Sequence, residues 1–317
     1  MKAISIAGYG GVEVLELTDQ PKPPIKADQV LVAVKTAAVN PIDWRIRSGG
    51  LAKFIECDFP VILGREVAGV VAEIGADVSD FSVGDEVFGF LQQLEMKWGS
   101  FAEYVPADAY KLAHKPVGLS FEQAVAIPVA FHTAQQALFQ HGGLQSGQTV
   151  LIHAAAGAVG SVAVQLAHQA GATVLATASA NNHDYVLGLG AHRVVDYHDA
   201  DFGAKLKADY PDGVAVILAP FAGQSLQGSE PLVSATTKII LLSPVANPAD
   251  MKIGPVKSQI MICAADGKAL EEVAEQFASG RLKMEIAQVF PFNQVVQAQE
   301  LSATERVRGK IVIKVSD

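Results

Sequence analysis

Thr149-Val150-Leu151-Ile152-His153-Ala154-Ala155-Ala156-Gly157-Ala158-Val159-Gly160, followed by Ser161 to Gln169, sets the architecture of this chain. Thr149 to Ile152 are apolar or β-favouring, the next eight residues are almost all small, and Ala158 to Gln169 carries Val162, Val164, Leu166 and Ala167 for an inner helix face. Gly171 suits a helix C-cap, and Thr173 to Thr177 is a second short strand. The pattern is strand, tight turn, helix, strand, and parallel strands need such a crossover.

The smallness of the turn has a chemical consequence. A dinucleotide's pyrophosphate binds backbone N–H groups at the positive end of a helix, and a bulky Cβ substituent there blocks its approach. The Rossmann fingerprint G-x-G-x-x-G is met with Ala155 in the first place and Gly157 and Gly160 in the second and third. Ala156, Gly157, Ala158 and Val159 are the candidate pyrophosphate-binding residues.

Working outward, organisation changes between Pro116 and Pro128. Before it, Glu13–Leu17, Gln29–Lys35, Glu66–Ile74, Asp85–Phe88 and Ala102–Val105 alternate between turn residues as strands of a β-rich domain. After it, a helical stretch Phe121–Phe139 and strands Ala215–Leu218, Lys238–Leu242 and Ile260–Cys263 continue the strand–helix alternation of a parallel sheet. The last apolar strand, Gly309–Val315, is expected to return to the first domain. The expected division is 1–122 with 288–317 as the β-rich domain and 123–287 as the dinucleotide-binding domain, an α/β chain with a doubly wound parallel sheet.

With 317 residues, two domains are the default. A hydrophobic fraction of 50% against 18% charged residues excludes disorder. A formal net charge of −9, without any basic cluster, argues against nucleic-acid binding. Two distant cysteines, Cys57 and Cys263, make no disulfide framework, and no apolar run is long enough for a signal peptide or a membrane span. A soluble, cytoplasmic protein is the expectation.

The loop after the second Rossmann strand bears on which dinucleotide is bound. NAD-preferring sites place an acid there to hold the ribose 2′-OH. Ala178-Ser179-Ala180-Asn181-Asn182-His183 has none, which permits the 2′-phosphate of NADPH, with Ser179, Asn182 and His183 as candidate partners. Ordinary turn chemistry accounts equally for Ser179, and a solvated loop position for His183.

Motifs along nearly the whole chain resemble the medium-chain dehydrogenase/reductase superfamily: Val39-Asn40-Pro41-Ile42-Asp43, Gly64-Arg65-Glu66-Val67-Ala68-Gly69, Val83-Gly84-Asp85-Glu86-Val87, Gly99-Ser100-Phe101-Ala102-Glu103-Tyr104 and Val307-Arg308-Gly309-Lys310-Ile311-Val312. The resemblance implies a GroES-like β-rich catalytic domain beside the Rossmann domain, and a catalytic cleft between them. Zinc members need Cys and His ligands. Here Asn40 stands where the family's first cysteine ligand falls, Arg65 replaces the ligating histidine, and Phe88–Gly99 contains no structural-zinc cysteines.

The expectation is therefore the zinc-independent quinone oxidoreductase and enone reductase branch. Its members transfer hydride from NADPH to a quinone or an α,β-unsaturated carbonyl, with the coenzyme carrying the chemistry. The resemblance places Asn40 and Asp43 near nicotinamide and substrate, although Asn40-Pro41 can also begin a turn and Asp43 cap a helix. It offers Arg65 as a cation for a developing enolate or quinol oxygen, unless Glu66 holds it in an ion pair. It also places Thr133 against the nicotinamide, Tyr197 beside the adenosine phosphate, and the backbone around Leu242-Ser243-Pro244-Val245 at the carboxamide. Lys310 is expected either to reach the coenzyme or to shield an edge strand.

Two departures from the family pattern are Arg45, where some members carry a tyrosine, and the loop Leu218 to Gly223. They keep open an alternative, an NADPH-binding relative with little turnover that acts as a sensor or structural protein. A homodimer through the Rossmann sheet edge, at Ile260-Met261-Ile262, is the family expectation.

Overall fold

The computed structural model describes residues 1–243 and 251–316. The chain divides into two compact units, Met1–Val129 with Ala265–Asp317, and Ala130–Ala264.

The first unit opens with β1 (Lys2–Ile6), β2 (Glu16–Asp19), β3 (Gln29–Val39), α1 (Pro41–Arg47), β4 (Glu56–Cys57), β5 (Val61–Ile62) and β6 (Glu66–Ile74). It continues through β7 (Glu86–Phe90), β8 (Glu95–Met96), β9 (Tyr104–Asp108), β10 (Leu112–His114), α2 (Phe121–Val125) and the start of α3 (Pro128–Gln135). The helical stretch expected over Phe121–Phe139 is broken, because Pro128 starts a new helix and the chain then passes into a π-helical segment at Gln136–His141. The strand expected at Glu13–Leu17 is a 3-10 turn at Val12–Val14 that runs into β2.

The second unit contains β11 (Thr149–Ile152), α4 (Ala158–Gln169), β12 (Thr173–Thr177), α5 (His183–Gly188), β13 (Arg193–Val195), α6 (Phe202–Asp209), β14 (Val216–Ala219), α7 (Gln224–Gln227) and β15 (Lys238–Leu241). After the undescribed segment come a small hairpin, β16 (Lys252–Ile253) and β17 (Val256–Lys257), and then β18 (Gln259–Ile260). Among the described residues the parallel sheet has the order β13-β12-β11-β14-β15-β18. Numbered in chain order those strands run 3-2-1-4-5-6, the doubly wound Rossmann arrangement, with the order reversing beside β11. Its interior strands are apolar along their length because helices cover both faces. Leu151, Leu175, Ile217, Ile239 and Leu241 pack with Phe202, Leu206 and Leu232 in one buried cluster. The last strand is shorter than the expected Ile260–Cys263: its pairing covers only Gln259 and Ile260, although Met261 N–H still donates to Leu241 O at 2.8 Å.

The chain then returns to the first unit through α8 (Gly267–Ala278), β19 (Ile286–Pro291), α9 (Val295–Ala303) and β20 (Lys310–Lys314). The division thus falls at 264/265 rather than at the expected 287/288. The reason is α8, whose first residue, Gly267, sits so close to Leu112 O that an added Cβ would lie 2.1 Å from it. The main sheet of this unit has the order β10-β7-β6-β3-β20-β19, with β9 also paired to β3. Register shifts within the β3–β6 pairing, one of them between Val34 and Thr36, let β3 serve two cores. Val30, Val32 and Val34 enter one cluster with Val67, Val87 and Val105, whereas Ala37 and Val39 enter another with Ile4, Phe101, Ile311 and Ile313.

Candidate functional site

In the second unit the site is built at the C-terminal end of β11, where the sheet order reverses and Rossmann ligands bind. After Ile152 the chain turns through Ala154, whose φ of 51° is left-handed without being glycine. Ala155 N–H donates to Thr177 O at 3.0 Å, which ties the turn to the end of β12. Gly157 is the N-cap of α4, so the N–H groups that open the helix face outward from its first turn. Gly160 is required by packing, since a Cβ there would meet Ala154 O at 2.4 Å and Ala155 Cα at 2.7 Å. A Cβ on Gly157 would meet only Ala154 O, at 3.4 Å. The turn is a cradle of backbone donors at a helix N-terminus, and these residues fit a dinucleotide pyrophosphate.

Beneath the cradle lies a polar core that the sequence did not single out. His153 is buried, with Nδ1 3.1 Å from Thr177 Oγ1 and Nε2 2.9 Å from Ser229 Oγ. Burial pushes its imidazole down to about 4, so the ring is neutral. The available signal was a polar residue wedged between a buried strand and a run of alanines.

The loop after β12 brings its expected partners together. Asn182 Nδ2 donates to Ser179 Oγ at 3.0 Å, and His183 Nε2 lies 3.2 Å from Ala178 O. Tyr197 is exposed, its ring centroid 4.1 Å from that of His198. Thr133 Oγ1 donates to Cys263 Sγ at 3.3 Å within this unit. Ser243 is half-buried just past β15, whereas Pro244 and Val245 lie outside the described residues. In the loop beyond β14, Phe221 is 36% exposed.

In the first unit, adjacent strands set a second cluster. Ala38 of β3 opposes Glu66 of β6, and Val39 opposes Ile311 of β20, so Asn40, Glu66 and Lys310 meet at one end of the sheet. Lys310 Nζ lies 2.5 Å from Glu66 Oε2 and donates to Asn40 Oδ1 at 2.7 Å, while Asn40 Nδ2 donates to Glu66 Oε2 at 2.8 Å. Val129 N–H completes the carboxylate by donating to Oε1 at 2.7 Å. All three side chains are buried.

Asp43, at the third position of α1, accepts the Asn40 N–H at 2.7 Å. Its Oδ1 is buried without a hydrogen-bond partner among the described residues, and burial raises the carboxyl to about 7 against the opposing pull of that N–H and of Arg65. Arg65 is buried too, donating to Gln93 O at 3.0 Å with its guanidinium 5.4 Å from the Phe90 ring.

These contacts bear on two alternatives that the sequence leaves open. Glu66 pairs with Lys310 across the sheet, and Arg65 beside it donates to Gln93 O, as neighbouring residues of a strand face opposite sides. Lys310 does not shield an edge: β20 is an interior strand between β3 and β19, and its ammonium is committed to Glu66 and Asn40.

The residues that occupy the family's zinc position do not fit a zinc ion. An amide with both ends bonded and a buried guanidinium offer no soft anionic ligand set. Among the described residues no group of three or more His, Cys, Asp or Glu converges as a metal site. Arg45, at the position of the family tyrosine, pairs with Glu305 at 3.2 Å and lies over the Trp44 ring. The loops around residues 52–57 and 94–95 line a cavity of about 510 Å³ in this unit, with Tyr9, Phe54, Cys57 and Leu94 on its wall.

Comparison with known proteins agrees with this architecture. A family profile described as alcohol dehydrogenase GroES-like domain matches residues 26–117, and one described as zinc-binding dehydrogenase matches residues 189–313. A 2-methylene-furan-3-one reductase from Solanum lycopersicum is 34% identical over 99% of this chain and 79% of its own length. The NADPH-dependent alkenal/one oxidoreductase, chloroplastic, of Arabidopsis thaliana is 32% identical over the same shares. The solved quinone oxidoreductase from Coxiella burnetii is similar with a TM-score of 0.90, at 32% identity, over 100% of this chain and 99% of that one.

The chain belongs to the medium-chain dehydrogenase/reductase superfamily. Within it, the chain falls in the quinone oxidoreductase and enone reductase branch, and it is a pyridine-nucleotide-dependent oxidoreductase. No helix among the described residues is long and apolar enough to cross a membrane.

Proposed function

We propose that the protein is an NADPH-dependent, zinc-independent reductase of quinones or α,β-unsaturated carbonyls. The observation that carries the reading is the substitution of Asn40 and Arg65, with their buried hydrogen bonds, for a metal-ligand set. The reductase and alkenal/one oxidoreductase names of the tomato and Arabidopsis relatives support an enone-type acceptor, and the NADPH dependence of the Arabidopsis relative supports NADPH.

When bound, the reduced nicotinamide supplies the hydride. The protein's part is placement and charge. The α4 N-terminus, with Ala156, Gly157, Ala158 and Val159, holds the pyrophosphate. Ser179, Asn182, His183 and Tyr197 border the adenosine ribose and its 2′-phosphate. Thr133 and the backbone at Ser243 orient the nicotinamide end. In the GroES-like unit, Asn40, Asp43 and Lys310 act as a frame around Glu66, and Arg65 beside it is the cation that faces negative charge developing on the acceptor oxygen. The cavity bounded by Tyr9, Phe54 and Leu94 lies in the loops that shape the acceptor pocket. The proposed assembly is a homodimer through β18, an edge strand on which Ile260 is 37% exposed and the following Ile262 is 77% exposed. With two free cysteines and a formal net charge of −9 without a basic run in the sequence, the proposed setting is the cytoplasm, with no nucleic-acid partner.

The test is NADPH oxidation across quinones, enones and aldehydes with a metal chelator present. Chelator-resistant reduction of a quinone or enone is expected. Activity abolished by chelator and restored by zinc would overturn the metal-free reading. Tight NADPH binding without turnover on any acceptor would favour the sensor alternative, to which the engagement of Arg45 by Glu305 gives some support.

A further inference from the structure

An acid that selects NADH belongs about 20 residues beyond the turn glycines, and that count from Gly160 arrives at Ala180. Ala180 has no group to offer a ribose, yet the place is not free of carboxylate. Ala180 N–H donates to Asp196 Oδ2 at 3.2 Å. Asp196 directly follows β13, the strand paired in parallel with β12, where Thr177 opposes Val195. Its other oxygen, Oδ1, accepts from His198 N–H at 2.9 Å and lies 2.7 Å from His198 Nδ1. The His198 backbone N–H, above all, holds the carboxyl below its usual range, and the side chain is 30% exposed, open to a ligand on that loop.

We infer that Asp196 is the coenzyme-discriminating residue of this protein: through space it takes the place of the missing acid at Ala180 and limits how strongly NADPH is preferred over NADH. The inference rests on the NADPH reading above and adds what sets its strength. A carboxylate accepts a hydrogen bond from a ribose 2′-OH and repels a 2′-phosphate. No Lys or Arg occurs between Ser179 and Asp184 to offset it. The nearest imidazoles are already engaged, His183 near Ala178 O and His198 with Asp196 itself. One charge beside a phosphate in a half-solvated loop weakens binding on the order of five- to twentyfold after screening.

Fluorescence titration of the full-length protein with NADPH and with NADH tests this. Asp196→Asn and Asp196→Ser both keep an acceptor for the Ala180 N–H, and each is expected to raise the NADPH-to-NADH affinity ratio about five- to twentyfold. Asp199→Asn, which removes a neighbouring half-buried carboxylate paired with Lys205, is expected to leave the ratio within about twofold. An unchanged ratio in both Asp196 variants, or an equal loss of both coenzymes, overturns the inference and leaves Asp196 as a loop cap. Wild-type protein that binds NADH more tightly than NADPH overturns the NADPH reading instead, and the shift in the Asp196 variants still decides this one.

Discussion

The turn after β11 and the cluster around Glu66 do opposite things with polar groups. The turn presents backbone donors outward and keeps side chains small, so it is open to a ligand and carries no charge of its own. The cluster folds a carboxylate, an ammonium and an amide inward until each satisfies the others. Binding therefore resides in the turn and stability in the cluster. Changes in the turn should cost coenzyme affinity, whereas changes in the cluster should first cost folding.

The largest effect that could break this contrast is Lys310→Met. It strands the Glu66 carboxylate in a buried site, and a loss of about 3–5 kcal/mol is expected in urea unfolding. The double variant Lys310→Met with Glu66→Gln should recover part of that loss. If Lys310→Met unfolds like wild type and instead loses only coenzyme affinity, the lysine belongs with the coenzyme after all.

Next in size are opposite pH responses of the two regions. In the native cluster Asp43 keeps its proton up to about 7, above its ordinary value of 3.8, so the native state binds protons more tightly than the unfolded chain. Its stabilising contribution is complete below about 3.8 and is lost as pH rises to 7, on the order of 4 kcal/mol. His153 behaves the other way, because its native value of about 4 lies below the ordinary 6.5. The unfolded chain takes up the proton first as pH falls from 6.5 to 4, and stability is lost on acidification, on the order of 3 kcal/mol. Urea midpoints from pH 4 to 8 should show Asp43→Asn removing the neutral-side loss and His153→Asn removing the acid-side dependence. Variants with wild-type pH profiles would sink both assignments.

The turn itself supplies the smaller effects. Gly160→Val drives a side chain into Ala154 O, and coenzyme affinity should fall about a hundredfold or more. Gly157→Ala meets only a contact of 3.4 Å and should stay within about threefold. Equal losses at the two glycines would mean that smallness, rather than the close approach of α4 to the turn, is what the site requires.

The same contrast explains what the sequence made legible. The turn is local: Thr149–Ile152, Ala158–Gln169 and Thr173–Thr177 form the expected strand, helix and strand because period and small residues announce them within one segment. The cluster is not local. Asn40, Glu66 and Lys310 are each visible as motif residues, but their pairing follows from the register of three strands far apart in the chain, so the partner of Glu66 cannot be read along the sequence. Asp196 was hidden for the same reason, since a count along the chain finds Ala180 while only the β12–β13 pairing finds the carboxylate beside it. The boundary near 265 was missed because the apolar face of α8 does not reveal which sheet it covers.

The placement of β20 also has a consequence for synthesis. Residues 130–264 leave the ribosome before Lys310–Lys314, and they can close their own sheet from strands near in sequence. The first unit must wait, with the Thr36–Val39 end of β3 lacking its second neighbour and Glu66 without its ammonium, until β20 arrives to lie between β3 and β19. During that interval the nascent chain exposes part of a sheet edge, the kind of edge along which wrong strands pair.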